Sequence, residues 1–377
     1  MSLDLEYLRR VEFPLTAECA FLNHAASSPL PQRSADVLRR YADRQQHRHM
    51  RYRPGAREHD LETLRRTLAE TINCDPSEVT FVPSTSDGVG IAANTVDWRP
   101  GDNVVLPECE YPGVVYPWLN LIRRGVEVRM TPAPNGQVDM DALIERIDGR
   151  TRVVSISHVE WTSGYRCDVG RLGRLCRPRG ILLVVDAIQS LSVTPVDVAE
   201  MGADVLVAGC YKWLLGIPGT AVMYVRRGAM PSLLPDRAGQ AGVKTSMVAR
   251  PDLVWKEDAM RYQVGSDSTA ALLVLESSLG LLLESGVERT HAHITALLDR
   301  LIPGLERLGM TITSSLAPGT RSTILSFTTG DAARDEALHR HLLERSVIVS
   351  LRPHGIRVAP HLYNSQEDAD ALLRAIA

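Results

Sequence analysis

At 377 residues the chain exceeds one ordinary domain and suits a large domain with a smaller companion, so a sizeable buried core is available. Hydrophobic residues at 44% and charged ones at 23% give a globular balance, and a net charge of −3 supplies no electrostatic case for nucleic acid. The start Met1-Ser2-Leu3-Asp4-Leu5-Glu6 has neither a basic beginning nor an apolar core, no apolar run reaches the roughly 18 residues of a membrane span, and six scattered cysteines lack CxxC metal spacing. No membrane and no metal are expected, and the compartment expected is the reduced cytoplasm.

Along the chain, the densest basic run is His47-Arg48-His49-Met50-Arg51-Tyr52-Arg53, which reads either as a solvated helix end or as an aid to an anionic substrate's approach. Seven short apolar runs follow: Val79 to Val82, Asn103 to Leu106, Val126 to Val128, Val153 to Ile156, Ile181 to Val185, Val205 to Val207, and Ala221 to Val225. Helical patterns, such as residues 139–147 and 168–177, lie between them. That alternation predicts an α/β fold with a mostly parallel seven-stranded sheet between helices. The last run precedes the turn Arg226-Arg227-Gly228 and reads as an antiparallel addition.

Ligands in such sheets bind at the carboxyl ends of strands, so the residues just after each run are the candidates. Ser84, Thr85 and Ser86 follow the first strand and open a helical pattern; they are either an anion site at a helix N-terminus or a simple N-cap. Tyr111, after the second, is either a platform for a flat ligand or a packed loop tyrosine. Asp186 ends the fifth run and Lys212 follows the sixth. An acid and a lysine at neighbouring strand ends are what pyridoxal phosphate needs, the lysine as Schiff base and the acid against the protonated pyridine nitrogen. A capping aspartate and a surface lysine are the plain alternative.

The last third changes character. Helical patterns over 269–284 and 287–308 lead to strand candidates at 311–313, 323–327 and 347–350 and helices near 335–345 and 366–376, predicting a smaller α+β domain. The expected division is 19–286 for the large domain and 1–18 plus 287–377 for the small one. Arg357, within the apolar stretch Gly355-Ile356-Arg357-Val358-Ala359, must be paired: by a substrate carboxylate or by a structural acid. Arg352 is a second candidate.

Together the pieces resemble the class V aminotransferase family, fold-type-I pyridoxal phosphate enzymes that include cysteine desulfurases, selenocysteine lyases, kynureninase and isopenicillin-N epimerase-like proteins. The motifs occur in family order: Asn23-His24-Ala25-Ala26, Ser84-Thr85-Ser86-Asp87-Gly88, Glu110-Tyr111-Pro112, Ser157-His158-Val159, Asp186-Ala187-Ile188-Gln189, Tyr211-Lys212-Trp213, Gly265-Ser266 and Arg357-Val358-Ala359-Pro360. The resemblance implies Lys212 as the Schiff-base lysine, Asp186 as pyridinium partner, Gln189 on the cofactor's phenolic oxygen and Tyr111 where relatives stack a histidine. It also implies Thr85, Ser86 and Tyr211 on the phosphate, Ser266 reaching it from the second subunit of a homodimer, and Arg357 on the substrate carboxylate with Asn23 and His24 nearby.

Three departures narrow the expectation. Trp161 stands where desulfurases have an asparagine, Gly209 where they have a serine, and Leu351-Arg352-Pro353-His354-Gly355 contains no cysteine where the persulfide nucleophile belongs. A desulfurase is therefore not expected. The favoured reaction is β-elimination from an S-substituted cysteine, a C–S lyase of secondary metabolism. Transamination, epimerisation and decarboxylation-linked deamination stay open, as does an inactive scaffold relative.

Overall fold

The computed structural model describes residues 3–47, 60–244, 252–265 and 267–377. Ser266 and all of the basic run except His47 lie outside them. A seven-stranded sheet runs in the order β2 (Val79–Val82), β8 (Ala221–Val225), β7 (Val205–Gly209), β6 (Leu182–Asp186), β5 (Thr151–Ser157), β3 (Asn103–Pro107), β4 (Glu127–Thr131). From β7 to β4 every pairing is parallel, while β8 is antiparallel to both β7 and β2. Two antiparallel steps restore direction, so β2 also ends on the edge where the parallel strands end.

The inner strands are mostly apolar because both faces are covered, whereas the edge strand β4 is only partly buried and carries Glu127 and Arg129. In β6, Leu183 and Val185 join one core with Val154, Ile156, Leu206 and Val222, whereas Val184 joins a second core with Val153, Val205, Val207 and Met223. Side chains alternate across the sheet with period two, so each strand feeds both cores.

The C-terminal unit is a four-stranded antiparallel sheet in the order β12 (Ser350–Arg352), β13 (Gly355–Val358), β10 (Leu325–Thr328), β9 (Thr311–Ile312), covered by helices Val287–Arg307, Ala332–Glu344 and Gln366–Ile376. The expected single strand over 347–350 is two. Val347–Ile348 (β11) pairs in parallel with Ala20–Phe21 (β1), while Ser350 onward joins β13. The chain switches sheets at Val349 because residues 20 and 21, more than 300 positions away, supply a partner.

Residues near the N-terminus touch both units. Leu8 and Phe13 lie in the large core, with Phe13 stacked on Tyr363 at 4.0 Å, while Arg9 pairs with Asp368 at 2.7 Å. Ala20, Leu22 and Ala25 belong to the core of the C-terminal unit. Among the described residues no single helix is long and apolar enough to cross a membrane.

Candidate active site

The shared edge of the large sheet gathers the candidates. Lys212 follows β7, Asp186 closes β6, Trp161 follows β5 and Tyr111 follows β3. These four strands are consecutive in the sheet, so loop residues far apart in sequence converge. The C-terminal unit contributes Arg352 and Arg357 from the β12–β13 hairpin.

Lys212 is only 6% exposed. Its Nζ lies 5.6 Å from the ring centre of Tyr111 and 5.7 Å from that of Tyr211. Burial draws its pKa down to about 8, Asp186 opposes the change, and the positive charges of Arg357 and Arg352 add to it. Asp186 is buried as well, and burial lifts its carboxyl to about 6 although the Ile188 N–H, donating at 2.8 Å, and Lys212 both favour the anion. A lysine and an acid in this state are not the surface lysine and capping aspartate of the plain alternative.

Arg357 is 1% exposed, and among the described residues no carboxylate pairs with it. One Nη donates to the carbonyl of Trp161; its Nε and other Nη have no partner. A buried cation with two orphaned donors is costly unless an anion arrives. Burial lowers its pKa to about 9, with Arg352 adding repulsion.

The helix Thr85–Thr95 begins at the candidate phosphate cup, four residues before the apolar pattern that starts at Val89, because Gly88 and Gly90 dilute the pattern. Gly88 is needed there: a Cβ would stand 2.7 Å from Val207. Ser84 is the N-cap. Its hydroxyl accepts from the Asp87 N–H at 3.1 Å and donates its one proton to the Asp87 carboxylate at 2.7 Å, so the expected phosphate contact of its side chain is replaced by capping. Thr85 Oγ1 accepts the Gly209 N–H at 3.0 Å and keeps its own proton to donate. Ser86 is exposed at the helix start, with the free backbone N–H groups of the first turn beside it.

Tyr111 is 45% exposed and forms a T-shaped pair with Trp161, ring centres 5.4 Å apart at 82°. Nearly half of its surface is left for a ligand. Gln189 is buried, with Nε2 donating to the Ala25 carbonyl at 3.0 Å and Oε1 accepting from Trp213 at 2.8 Å. One amide proton remains for a ligand. Tyr211 is half-buried.

His24 is not where the resemblance puts it. Its ring is fully buried, with Nδ1 at 2.9 Å from the Ala359 carbonyl and Nε2 at 2.9 Å from the Tyr363 hydroxyl. Both nitrogens are occupied within the protein, and none is left for a substrate. Asn23 Oδ1 accepts from the Ser350 hydroxyl, which ties that loop to the arginine hairpin.

Two residues named in the sequence without a role, Glu110 and Trp161, take one in the structure. Glu110 is buried, holds Ser157 through its N–H and hydroxyl, and is pushed up to about 8 by burial and by the charge of Asp186. An acid wedged between a strand end and Tyr111-Pro112 was the available signal. Trp161 is more than a departure: its Nε1 donates to the Cys109 carbonyl at 2.9 Å, its own carbonyl takes Arg357, and the Arg352 guanidinium lies 5.7 Å from its ring centre.

These residues fit pyridoxal phosphate: a desolvated amine near a desolvated acid, a half-exposed aromatic ring, a helix N-terminus for the phosphate, and an orphaned arginine for a carboxylate. The comparisons agree. The aminotransferase class-V family model matches residues 20–375. The uncharacterized aminotransferase YcbU of Bacillus subtilis is 28% identical over 316 residues, 84% of this chain and 83% of that protein. A probable cysteine desulfurase of Methanothermobacter thermautotrophicus is 28% identical over 330 residues, 83% of this chain and 82% of the relative. Among solved structures, the cystine C-S lyase C-DES in complex with its reaction product cysteine persulfide has a TM-score of 0.86 at 24% identity, covering 97% of this chain and 99% of that one.

Proposed function

The chain belongs to the class V aminotransferase family of pyridoxal phosphate enzymes, and from that premise we propose that it is a C–S lyase that eliminates an intact thiol from an S-substituted cysteine. Lys212 and Asp186 are its catalytic pair. Lys212 would hold the cofactor covalently, Asp186 would face the ring nitrogen, Tyr111 the ring, and Thr85, Ser86 and Tyr211 the phosphate. The bound cofactor supplies an electron sink for the pair left on Cα.

Arg357 fixes the substrate's α-carboxylate by a two-point contact from the donors it now leaves unused. The Lys212 amine, with its pKa drawn toward neutrality, takes the Cα proton. The Cβ–S bond then breaks, sulfur leaves with its electron pair and gains a proton, and water converts the three-carbon remainder to pyruvate and ammonia.

The observation that carries the choice of lyase over desulfurase is the β12–β13 hairpin. Arg352 pairs with Gly355 across a turn of only Pro353 and His354, so the place of a cysteine-bearing loop is taken by a tight turn without a thiol. Other thiols nearby are poor nucleophiles. Cys210 is fully buried with its pKa raised to about 12, and burial with Glu160 raises Cys109 as well. Relatives named as desulfurases and as an aminotransferase make those the rival outcomes.

The test is product analysis on the holoenzyme. S-alkylcysteines should give equal amounts of pyruvate and thiol, and L-cysteine should give no alanine. Amino transfer to an α-keto acid without pyruvate or thiol would overturn the reading. The working unit is proposed to be a homodimer in which Ser266 completes the partner's phosphate site, and light scattering should report twice the 41.5 kDa chain mass.

A further inference from the structure

The arginine hairpin holds one cation more than an α-carboxylate requires. Ser350 lies opposite Arg357, Leu351 opposite Ile356, and Arg352 opposite Gly355. With a period of two, Ser350, Arg352 and Arg357 share one face of the hairpin. Arg352 is the diagonal neighbour of Arg357, which sets their backbones about 7–8 Å apart.

Both side chains are held in place, yet neither is paired. Arg352 donates to the Leu351 carbonyl at 2.9 Å and to the Ser350 hydroxyl at 3.3 Å, and lies 5.7 Å from the ring centre of Trp161. Its Nε is buried without a partner, as are the Nε and one Nη of Arg357. Among the described residues no carboxylate reaches either guanidinium. Two like charges turned to one face, with three orphaned donors between them, raise the free energy of the ligand-free protein. One bound anion settles Arg357; Arg352, on the same face of the hairpin and beside Trp161, is left with its buried Nε unpaired.

Resting on the reading of Arg357 above, we propose that Arg352 is a specificity residue that takes a second anion at the far end of the substrate, so that the substrate class is an S-substituted cysteine whose sulfur substituent ends in a carboxylate or similar anion. Trp161 borders this subsite, its ring centre 5.7 Å from the Arg352 guanidinium, within reach of a cation–π contact that favours arginine over lysine. The lysine-facing side of the site then measures the substrate between two fixed cations.

Unreactive probes separate this subsite from the chemistry. Calorimetry on the holoenzyme should find glutarate at least about 10-fold tighter than pentanoate, the yield of one added charge-assisted contact. In Arg352→Gln that ratio should collapse to within about twofold, and Arg352→Lys should restore part of it. In kinetics, S-(2-carboxyethyl)cysteine should exceed S-propylcysteine in kcat/KM, chiefly through KM, with the same dependence on Arg352. No preference for glutarate in the native protein, including no binding of either acid, or a preference that survives Arg352→Gln, overturns the proposal. A glutarate preference lost in Arg352→Gln, with no thiol released from any cysteine conjugate, would sink the lyase reading and leave the second-anion site standing.

Discussion

Thr85 Oγ1 accepts the backbone N–H of Gly209 at 3.0 Å, which ties the first turn of the candidate phosphate helix to the strand that delivers Lys212. The two parts of a cofactor site, anion cup and lysine, are thereby positioned against one another. A Cβ at Gly209 would stand 2.9 Å from Ile188 Cδ1 and 3.2 Å from both Thr85 Oγ1 and Tyr211 Cε1. The serine that desulfurases carry there does not fit this neighbourhood unchanged. Gly209→Ser should lower stability by about 1–3 kcal/mol and weaken retention of pyridoxal phosphate on dialysis. Because the nearest atom is the end of a flexible side chain, adding Ile188→Val should recover part of both losses. Additive, unrelieved effects in the double variant would refute the clash.

Asp186 sets function against stability. Its folded pKa, about 6, lies above the ordinary 3.8, so the folded state holds the proton more tightly than the unfolded one. The penalty of burying the anion is absent below about pH 3.8, grows through pH 6 and is complete above it. Asp186→Asn retains an oxygen for the Ile188 N–H but carries no charge. Denaturant unfolding of the cofactor-free protein at pH 7.5 should show this variant about 1–3 kcal/mol more stable than the native chain, with the gain shrinking at pH 5. Activity should fall by orders of magnitude. A variant less stable at both pH values would contradict the assignment.

Lys212 should take up cofactor at a pH where an ordinary lysine is idle. With a pKa of about 8, about a quarter of the amine is neutral at pH 7.5, against about 0.1% for an unperturbed lysine. The uptake rate of pyridoxal phosphate by cofactor-free protein, followed by absorbance, should rise with pH to a midpoint near 8. Removing a nearby positive charge favours the protonated amine, so Arg357→Gln should move that midpoint upward. A midpoint near 10 in the native protein would dispose of the argument.

The parts legible in the sequence were those governed by local pattern. Seven short runs located the seven strands of the sheet, most clearly the inner ones, because a strand covered on both faces has no polar alternation to blur it. The residues after those strands were legible as site candidates because a parallel sheet puts its strand ends on one edge. What escaped depended on partners remote in sequence. Val347 and Ser350 fall in different sheets because Ala20 and Phe21 claim the first. Glu110 and Trp161 act through what surrounds them, and neither residue type announces burial. Gly209 was visible as a departure, but Ile188 and Thr85, which leave it no room, were not.

His24 shows what motif transfer alone would mistake, and mutation can separate the two roles. It bridges the Ala359 carbonyl and the Tyr363 hydroxyl, residues 335 and 339 positions away, and burial keeps the ring neutral by lowering its pKa well below 6.5. In that form Nδ1–H donates to Ala359 and Nε2 accepts from Tyr363. His24→Ala leaves a buried carbonyl and a buried hydroxyl unpaired as well as a cavity, so it should cost about 2–4 kcal/mol. Tyr363→Phe leaves only the imidazole nitrogen unpaired and should cost about 1–2 kcal/mol. Because both variants break the same bond, their combination should cost less than the sum of the two. With His24 facing no substrate, KM should stay within about twofold in whatever fraction of His24→Ala remains folded. A KM raised more than about tenfold at unchanged stability would return His24 to the substrate site and take the bridge out of its role.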